Sequence, residues 1–397
     1  MKNIIIAYLV ICLIIPFSSA AHYIVGIVND AKDGQSSNGL TVTLWNPTNG
    51  LSDNFTDVVG PSGNSGADNI YMIDCEMLDI PCDIWDNLSV KVFNNGNDYV
   101  SDQKNVTVAG LGFDVVENLS LNSPPFVESV LVDDSFIVTP NEIDLFPATT
   151  ANITCRAIVT EYDGESSITN GTSMFFDNVL SGYGDSYDNN EHYSNNSCYI
   201  NYSYGTSNQV EIICNFSVWY YANSQNWNCT VNVTDNISIS SLGSDLSFIN
   251  PLLALGVDSP INFGLINATT VSDELELNVT NYGNVPINLS LSGYGASEND
   301  GNSMNCTLGS TKNISIYYEK YNLTSSNPGN LDLGEFGSLY SNLTSAPLVK
   351  KFDLNYRQDD LTNEAVNLTY WRIYVPPGVA GSCQGNIVFG AAQSDEG

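Results

Sequence analysis

Ala151–Gly164, ANITCRAIVTEYDG, and Val210–Asp235, VEIICNFSVWYYANSQNWNCTVNVTD, decide how this chain folds. In the first stretch Ile153, Cys155, Ala157 and Val159 occupy every second position, so an extended backbone turns all four to one face while Asn152 and Thr154 turn away. The second stretch does this twice. Val210, Ile212, Cys214, Phe216, Val218 and Tyr220 share one face, and Trp227, Cys229, Val231 and Val233 share one face of the next strand. Buried-face cysteines early and late, with turn-rich segments between them, are what two sheets stapled together require. The region reads as a β-sandwich.

Working outward, 397 residues exceed one sandwich of about 100 residues and suit two to four domains. Eleven Lys and Arg stand against 44 Asp and Glu, a formal net charge of -33. Acids are close to their ordinary share, so the anomaly is missing basic residues, and Asn, Ser, Thr and Gly supply the polar surface. Without a basic patch to neutralise phosphates, nucleic-acid binding is excluded as a function class. Divalent cations or cationic partners fit this balance, and so does plain solubility.

Residues 1–20, MKNIIIAYLVICLIIPFSSA, combine one lysine, an apolar run from Ile4 to Phe17 and small residues at Ser18 and Ala20. This is the pattern of a secretory signal, with an apolar core short for a membrane span; an uncleaved anchor is the alternative. No membrane span is expected in the mature chain. Of nine cysteines, Cys12 lies in the signal, and the other eight predict disulfides in an exported protein. Cys75 and Cys82 close a short loop, and Cys306 pairs with Cys383. In the central region Cys155 with Cys229 as an inter-sheet staple leaves Cys198 with Cys214 across neighbouring strands; exchanged partners are the alternative. With only His22 and His192 in the chain, a zinc site is not expected.

Along the chain, the sequence predicts an all-β protein of three tandem β-sandwich domains after the signal: 21–121, 122–240 and 241–397. Strands at YIVGIVN, TVTLW, NIYMIDC and LSVKVFN alternate with Asn/Gly/Asp loops. Gly26, Asp30, Gly34, Gly39 and the alternating Val and Thr give Tyr23–Leu121 a resemblance to transthyretin-like, carboxypeptidase-regulatory-like modules, which implies a fold and no activity. HYIVGIVN reads as an edge strand. Ser123-Pro124-Pro125 is a linker, since two prolines fix an extended backbone and remove sheet donors. The central module, with Trp227 two residues before Cys229, resembles immunoglobulin-like domains, and departs from them in its second cysteine pair and its polar, tyrosine-rich insert Ser181–Ser197. The third module begins around 248–260. There TNYGNVP reads as a turn between two alternating strands, with Gly283 available for positive φ. The final YWRIYVPPGVAGSCQGNIVFGA resembles the closing hairpin of archaeal and bacterial secreted sandwich domains. No long helix is expected.

Asn-x-Ser/Thr with x other than proline occurs at Asn54, Asn87, Asn105, Asn118, Asn152, Asn170, Asn195, Asn201, Asn215, Asn228, Asn232, Asn236, Asn267, Asn278, Asn288, Asn305, Asn313, Asn322, Asn342 and Asn367. From 50 Asn and 68 Ser plus Thr in 397 residues, chance gives about eight or nine, so these 20 are more than a twofold excess. They are candidate glycosylation sites. Alternation also produces them unaided, because a buried residue flanked by Asn and Thr turns both polar groups outward.

Glu161, Asp163 and Glu165 in EYDGESS, with Asp185 and Asp188 in the insert, are candidate calcium ligands, although the full twelve-residue calcium loop is absent. No other cofactor is expected. A serine triad or cysteine–histidine pair lacks its histidine, and nothing selects two carboxylates for glycoside hydrolysis. Cleavage after Ala21 would make His22 the amino terminus. That resembles the copper-binding histidine brace of lytic polysaccharide monooxygenases, which needs a second histidine beside the first, and His192 lies in another module.

The whole therefore resembles a secreted, surface-layer-associated glycoprotein of an archaeal-type cell envelope. The resemblance implies a non-enzymatic structural or adhesive role, with other envelope proteins, itself or cell-surface glycans as partners. Two alternatives stand beside it. One is a filament subunit donating the strand His22–Val28 to a neighbour's sheet. The other is a carbohydrate-binding or carbohydrate-processing protein using Tyr183, Tyr187, Tyr193 and Tyr220 or Tyr221.

Overall fold

The computed structural model describes residues 21–96, 98–110, 112–134, 141–258, 260–359 and 363–394; residues 1–20, which the sequence reading takes as a secretory signal, lie outside them. The alternation predicts an all-β chain, and the described residues form one, with a single seven-residue α-helix, Leu333–Leu339.

The first region contains β1 (Tyr23–Asn29), β2 (Thr41–Trp45), β3 (Asn54–Val58), β4 (Ile70–Asp74), β5 (Asn87–Val92), β6 (Val100–Ser101), β7 (Lys104–Thr107), β8 (Phe113–Val115) and β9 (Leu119–Asn122). One sheet runs β3-β2-β5-β7. The other runs β4-β1-β9-β6, with β8 also on β1. Ile24 and Val28 of β1 meet Leu44, Leu88 and Val90 in a common core. Contrary to the sequence reading, β1 is not an edge strand: β4 pairs antiparallel along one side, and β8 and β9 pair parallel along the other. Gly26 is required there, because a Cβ would stand 2.3 Å from the Tyr71 hydroxyl.

The central region contains β10 (Phe126–Asp134), β11 (Glu142–Ile143), β12 (Thr150–Thr160), β13 (Ile168–Asp177), β14 (His192–Asn195), β15 (Tyr199–Asn201), β16 (Gln209–Trp219), β17 (Asn226–Asp235) and β18 (Ser240–Ile249). Sheets β10-β12-β16-β15 and β11-β18-β17-β13-β14 face each other. Ile153, Cys155, Ala157 and Val159 from β12 meet Cys229, Val231 and Val233 from β17 in one core. Trp227 is wholly buried; its ring lies 4.8 Å from Phe175 and its Nε1 donates to the Asn223 carbonyl at 2.8 Å. Two corrections to the sequence reading follow. Strand β18 belongs here by its nine-residue ladder with β17, so residue 240 is not a boundary. The insert 181–197 is not wholly polar surface either, because β14 pairs with β13 and buries His192 and Tyr193.

The last region contains β19 (Leu255–Val257), β20 (Leu275–Asn281), β21 (Ile287–Tyr294), β22 (Asn302–Gly309), β23 (Asn313–Ser315), β24 (Glu319–Asn322), β25 (Ser341–Asn342), β26 (Leu348–Leu354), β27 (Ala365–Ile373), β28 (Val379–Gln384) and β29 (Asn386–Gln393). It has three sheets: β19-β20-β27-β24-β25, β26-β21-β29 and β23-β22-β28. Two of its connections cross between sheets instead of closing hairpins, which corrects two expectations. TNYGNVP carries the chain from the sheet of β20 to that of β21, and Gly283 is needed because a Cβ would lie 1.9 Å from the Leu252 carbonyl oxygen. Strands β27, β28 and β29 likewise enter three different sheets. The helix is closed by a capping box in which Asp332 accepts from the Glu335 amide at 2.8 Å and Glu335 accepts from the Asp332 amide at 3.0 Å.

Candidate functional site

The alternation that forms the strands also decides what each candidate residue faces. Four disulfides join Cys75 to Cys82, Cys155 to Cys229, Cys198 to Cys214 and Cys306 to Cys383. Cys155–Cys229 ties β12 to β17 across the two central sheets. Cys306–Cys383 instead joins register partners of neighbouring strands, β22 and β28.

None of the 20 sequon asparagines is buried: thirteen are exposed and seven, among them Asn195, Asn201 and Asn322, are half-buried. The buried asparagines, Asn46, Asn190, Asn223, Asn281 and Asn284, all lie outside sequons and act as internal clamps. Asn284 Nδ2, for instance, donates to the Ala222 carbonyl at 3.0 Å, and Asn281 Nδ2 donates to that of Val285 at 2.9 Å. Asn46 precedes Pro47, which spoils its sequon. The outward asparagines are not all equally free. Asn195 Nδ2 donates to the Asn215 carbonyl at 3.0 Å, Asn201 Nδ2 to Glu211 at 3.2 Å and Asn322 Nδ2 to the Leu339 carbonyl at 3.1 Å.

The acidic candidates take part in a joint. Asp163 accepts from the Ser123 amide at 2.5 Å and pairs with Lys32 of the first region at 3.2 Å. Nearby, Asn122 Nδ2 donates to Asp235 at 2.8 Å. Glu161 is fully buried; one carboxyl oxygen accepts from the Asp163 amide at 3.0 Å and the other has no partner. Desolvation pushes its pKa up to about 7, with the charges of Asp163 and Asp235 acting in the same direction and the hydrogen bond from the Asp163 amide opposing. These carboxylates hold the residues just before Pro124-Pro125 against the central sandwich. Glu165 lies in a 3-10 turn, Glu165–Ser167. Asp185 accepts from the Gly182 amide at 2.7 Å and Asp188 from the Asn190 amide at 2.7 Å. Among the described residues, no three His, Cys, Asp or Glu side chains are grouped to hold a metal ion.

The two histidines are separate and both structural. His22 Nε2 pairs with Asp114 at 2.8 Å in the first region. His192 stacks on Phe176 with centroids 5.6 Å apart and bonds Ser181 Oγ through Nδ1 at 2.9 Å, while desolvation lowers its pKa. A histidine brace between them does not form. Of the aromatic candidates, Tyr183 and Tyr187 are exposed, whereas Tyr193, Tyr220 and Tyr221 are buried.

Sequence reasoning missed a set of charged residues inside the last two regions. Tyr220 donates to Glu364, which also pairs with Arg357 at 3.4 Å, and the Arg357 guanidinium lies 4.5 Å from the centre of the Tyr221 ring. These contacts fasten Arg357 and Glu364 onto the central sandwich, and the Tyr356 hydroxyl donates to Asn223 at 2.9 Å. Glu319, Lys320 and Arg372 are at most 3% exposed. The available signal was a charge at an inward position of an alternating strand, as in YYEKYN and YWRIYV.

No family model matches the sequence, and no curated protein matches it. Similarity among solved structures includes BcpA, the major pilin subunit of Bacillus cereus, at 9% identity over 83% of this chain and 94% of that one, TM-score 0.30. It includes the full-length major pilin SpaD from Corynebacterium diphtheriae, at 8% identity over 96% and 89%, TM-score 0.29. The CsuC–CsuE chaperone–tip adhesion subunit complex of Acinetobacter baumannii Csu pili matches at 12% identity over 67% and 99%, TM-score 0.28. Likeness at this level assigns no family; the fold rests on the strands and sheets described above.

Proposed function

We propose that this chain is a secreted, non-enzymatic glycoprotein of an archaeal-type cell envelope, with a structural or adhesive role exercised by its surfaces. The observation that carries the reading is the partition of asparagine: every sequon asparagine is exposed or half-buried, and every buried asparagine lies outside a sequon. Attached sugars on outward strand positions would keep a chain with few charged residues soluble and would present a hydrophilic sheath. Four disulfides suit an oxidising exterior. The transthyretin-like and immunoglobulin-like resemblances of the first two modules belong to this reading.

The test is chemical deglycosylation of protein taken from its own cells. The apparent mass should fall by several kilodaltons, and an unchanged mass removes the reading. Against the filament alternative in its first form stands the pairing of β1 on both sides, since donating His22–Val28 would break the ladders with β4, β8 and β9. The carbohydrate-binding alternative retains only Tyr183 and Tyr187 as exposed aromatics of its set.

A further inference from the structure

The C-terminal module encloses an open cavity of about 310 Å³ that the envelope reading leaves without a role. The side chains of Val257, Phe263, Leu277, Ile387 and Phe389 form an apolar part of its wall, and polar groups, the exposed Asp258 and Asn386 among them, line the rest. Glu319 also lines it. On β24, Glu319 shares the inward face with Tyr321, whose ring lies 5.5 Å from Trp371, and its register partner on β27 is Ile373. It is 1% exposed, and among the described residues no hydrogen bond reaches its carboxyl group.

An unpartnered carboxyl in an apolar wall weakens the fold, and an aliphatic side chain of similar volume would pack there without that cost. The neighbouring charges do not relieve it. Lys320 points to the opposite face of the sheet, between the rings of Tyr317 and Phe336 at 5.0 and 5.1 Å. Arg372, the register partner of Lys320, is bound on that same face to the carbonyls of Ser272, Asn327 and Gly329. Glu274 belongs to that group through its bond with Tyr340. Asp258 is occupied by Asn278 Nδ2 at 2.7 Å and adds negative potential at the cavity mouth. Desolvation alone pushes Glu319 up to about 8, so burial favours its protonated form at neutral pH.

We propose that this cavity binds a primary ammonium on an unbranched apolar stem, either a free alkylamine or a lysine side chain, with Glu319 releasing its proton as the ammonium enters. The stem lies against the apolar walls and the ammonium donates to the Glu319 carboxylate. A net charge of -33 raises the local concentration of cations around the mouth. One deep carboxylate and one at the rim fall short of the six to eight oxygens that calcium takes. The proton balance is simple: the carboxylic acid and the ammonium become a carboxylate–ammonium pair and one proton in solution.

Titration calorimetry on the full chain tests this, with n-hexylammonium chloride and acetyl-Val-Lys-Val-amide as probes, in phosphate and in HEPES. At least one probe should saturate, and the tighter one identifies the source of the ammonium. Comparing the two buffers should give about one proton released per bound ammonium at pH 7, falling towards none by pH 9.5. Glu319→Gln should weaken binding at least tenfold and abolish the proton release, whereas 1-hexanol should release no proton from the native chain. Ile387→Trp, which fills the cavity and leaves Glu319 in place, should also remove binding. Failure of both probes to saturate, an unchanged affinity in either variant, or ammonium binding without proton release overturns the proposal.

Discussion

The central and C-terminal regions are built from the same alternating strands and differ in how their layers meet. In the centre two sheets face each other, a disulfide passes between them, and a single cluster of 22 buried residues fills the gap. In the last region three sheets share the interior and the disulfide joins neighbouring strands within one of them. The buried residues there divide into clusters of ten and four, with many half-buried apolar neighbours. Residues 260–266 run along the margin of that interior, each exposed or half-buried. They lend Ile261, Phe263 and Ile266 to the clusters, and among the described residues their backbone makes no hydrogen bond to any of the three sheets. Alternation alone therefore does not fix how an interior is filled. Two facing layers give one continuous apolar cluster, and where layers are split the same pattern leaves smaller clusters and a cavity lined in part by Glu319.

Core truncation should show the largest difference. Trp227→Ala, in the continuous central cluster against Phe175 and Tyr193, should cost about 4–5 kcal/mol, while Phe389→Ala on the cavity wall should cost about 1–2 kcal/mol, measured by urea denaturation. Equal losses would break the contrast. Next in size is the staple. Cys155 and Cys229 are 74 residues apart, so replacing both by alanine should cost about 4 kcal/mol. Cys306–Cys383 spans 77 residues and carries a similar entropic weight, yet Cys383 is only half-buried while Cys155 and Cys229 are fully buried. Mild reductant on the folded protein should therefore open Cys306–Cys383 before Cys155–Cys229, as read by alkylation and mass mapping.

A pH effect follows in the C-terminal region. Burial holds the Glu319 proton in the folded chain up to about pH 8, whereas the unfolded chain releases it near its ordinary value of 4.5. Between these values the folded state holds more protons, so this contribution is complete below pH 4.5 and lost as pH rises to about 8. Glu319 should take about 1 kcal/mol per pH unit from stability across that window, and Glu319→Gln should remove that share of the slope, leaving the share of Glu161 up to about pH 7. A wild-type slope matching that of the variant would mean that the cavity is wetter than the buried carboxyl requires. The smallest effect belongs to the joint before Pro124. Lys32→Ala removes an exposed partner of Asp163 and should change stability by no more than about 0.5 kcal/mol.

Much of this contrast was legible in the sequence, though unevenly. The inward faces of β12, β16 and β17 follow directly from every-second-residue spacing, and a cysteine on each of those faces marks where layers can be tied. Spacing gives the face of a strand and not its neighbour, which is why YIVGIVN reads as an edge yet lies inside its sheet, and why TNYGNVP reads as a hairpin yet changes sheets. Tyr193 and His192 were hidden in a segment whose other residues are polar; only strand pairing with β13 buries them. The acidic loop appeared as a cation site because sequence shows carboxylates without their partners. In the fold, Asp163 spends its oxygens on Ser123 and Lys32. Glu319 and Lys320 stood in the pattern as charges on a strand, but which one faces the interior depends on a register that only long-range pairing supplies.

Glycopeptide mass mapping of the chain isolated from its own cell surface tests the central claim most directly, because it reads sugars and cystines together. Sugars are expected at free, exposed asparagines such as Asn87, Asn118, Asn152, Asn267 and Asn342, with lower occupancy at Asn195, Asn201 and Asn322, whose Nδ2 groups are engaged. All eight cysteines from Cys75 to Cys383 should be found in disulfides. Unmodified asparagine at every sequon, or free thiols at Cys155 and Cys229, would contradict an extracellular glycoprotein held together across its sheets.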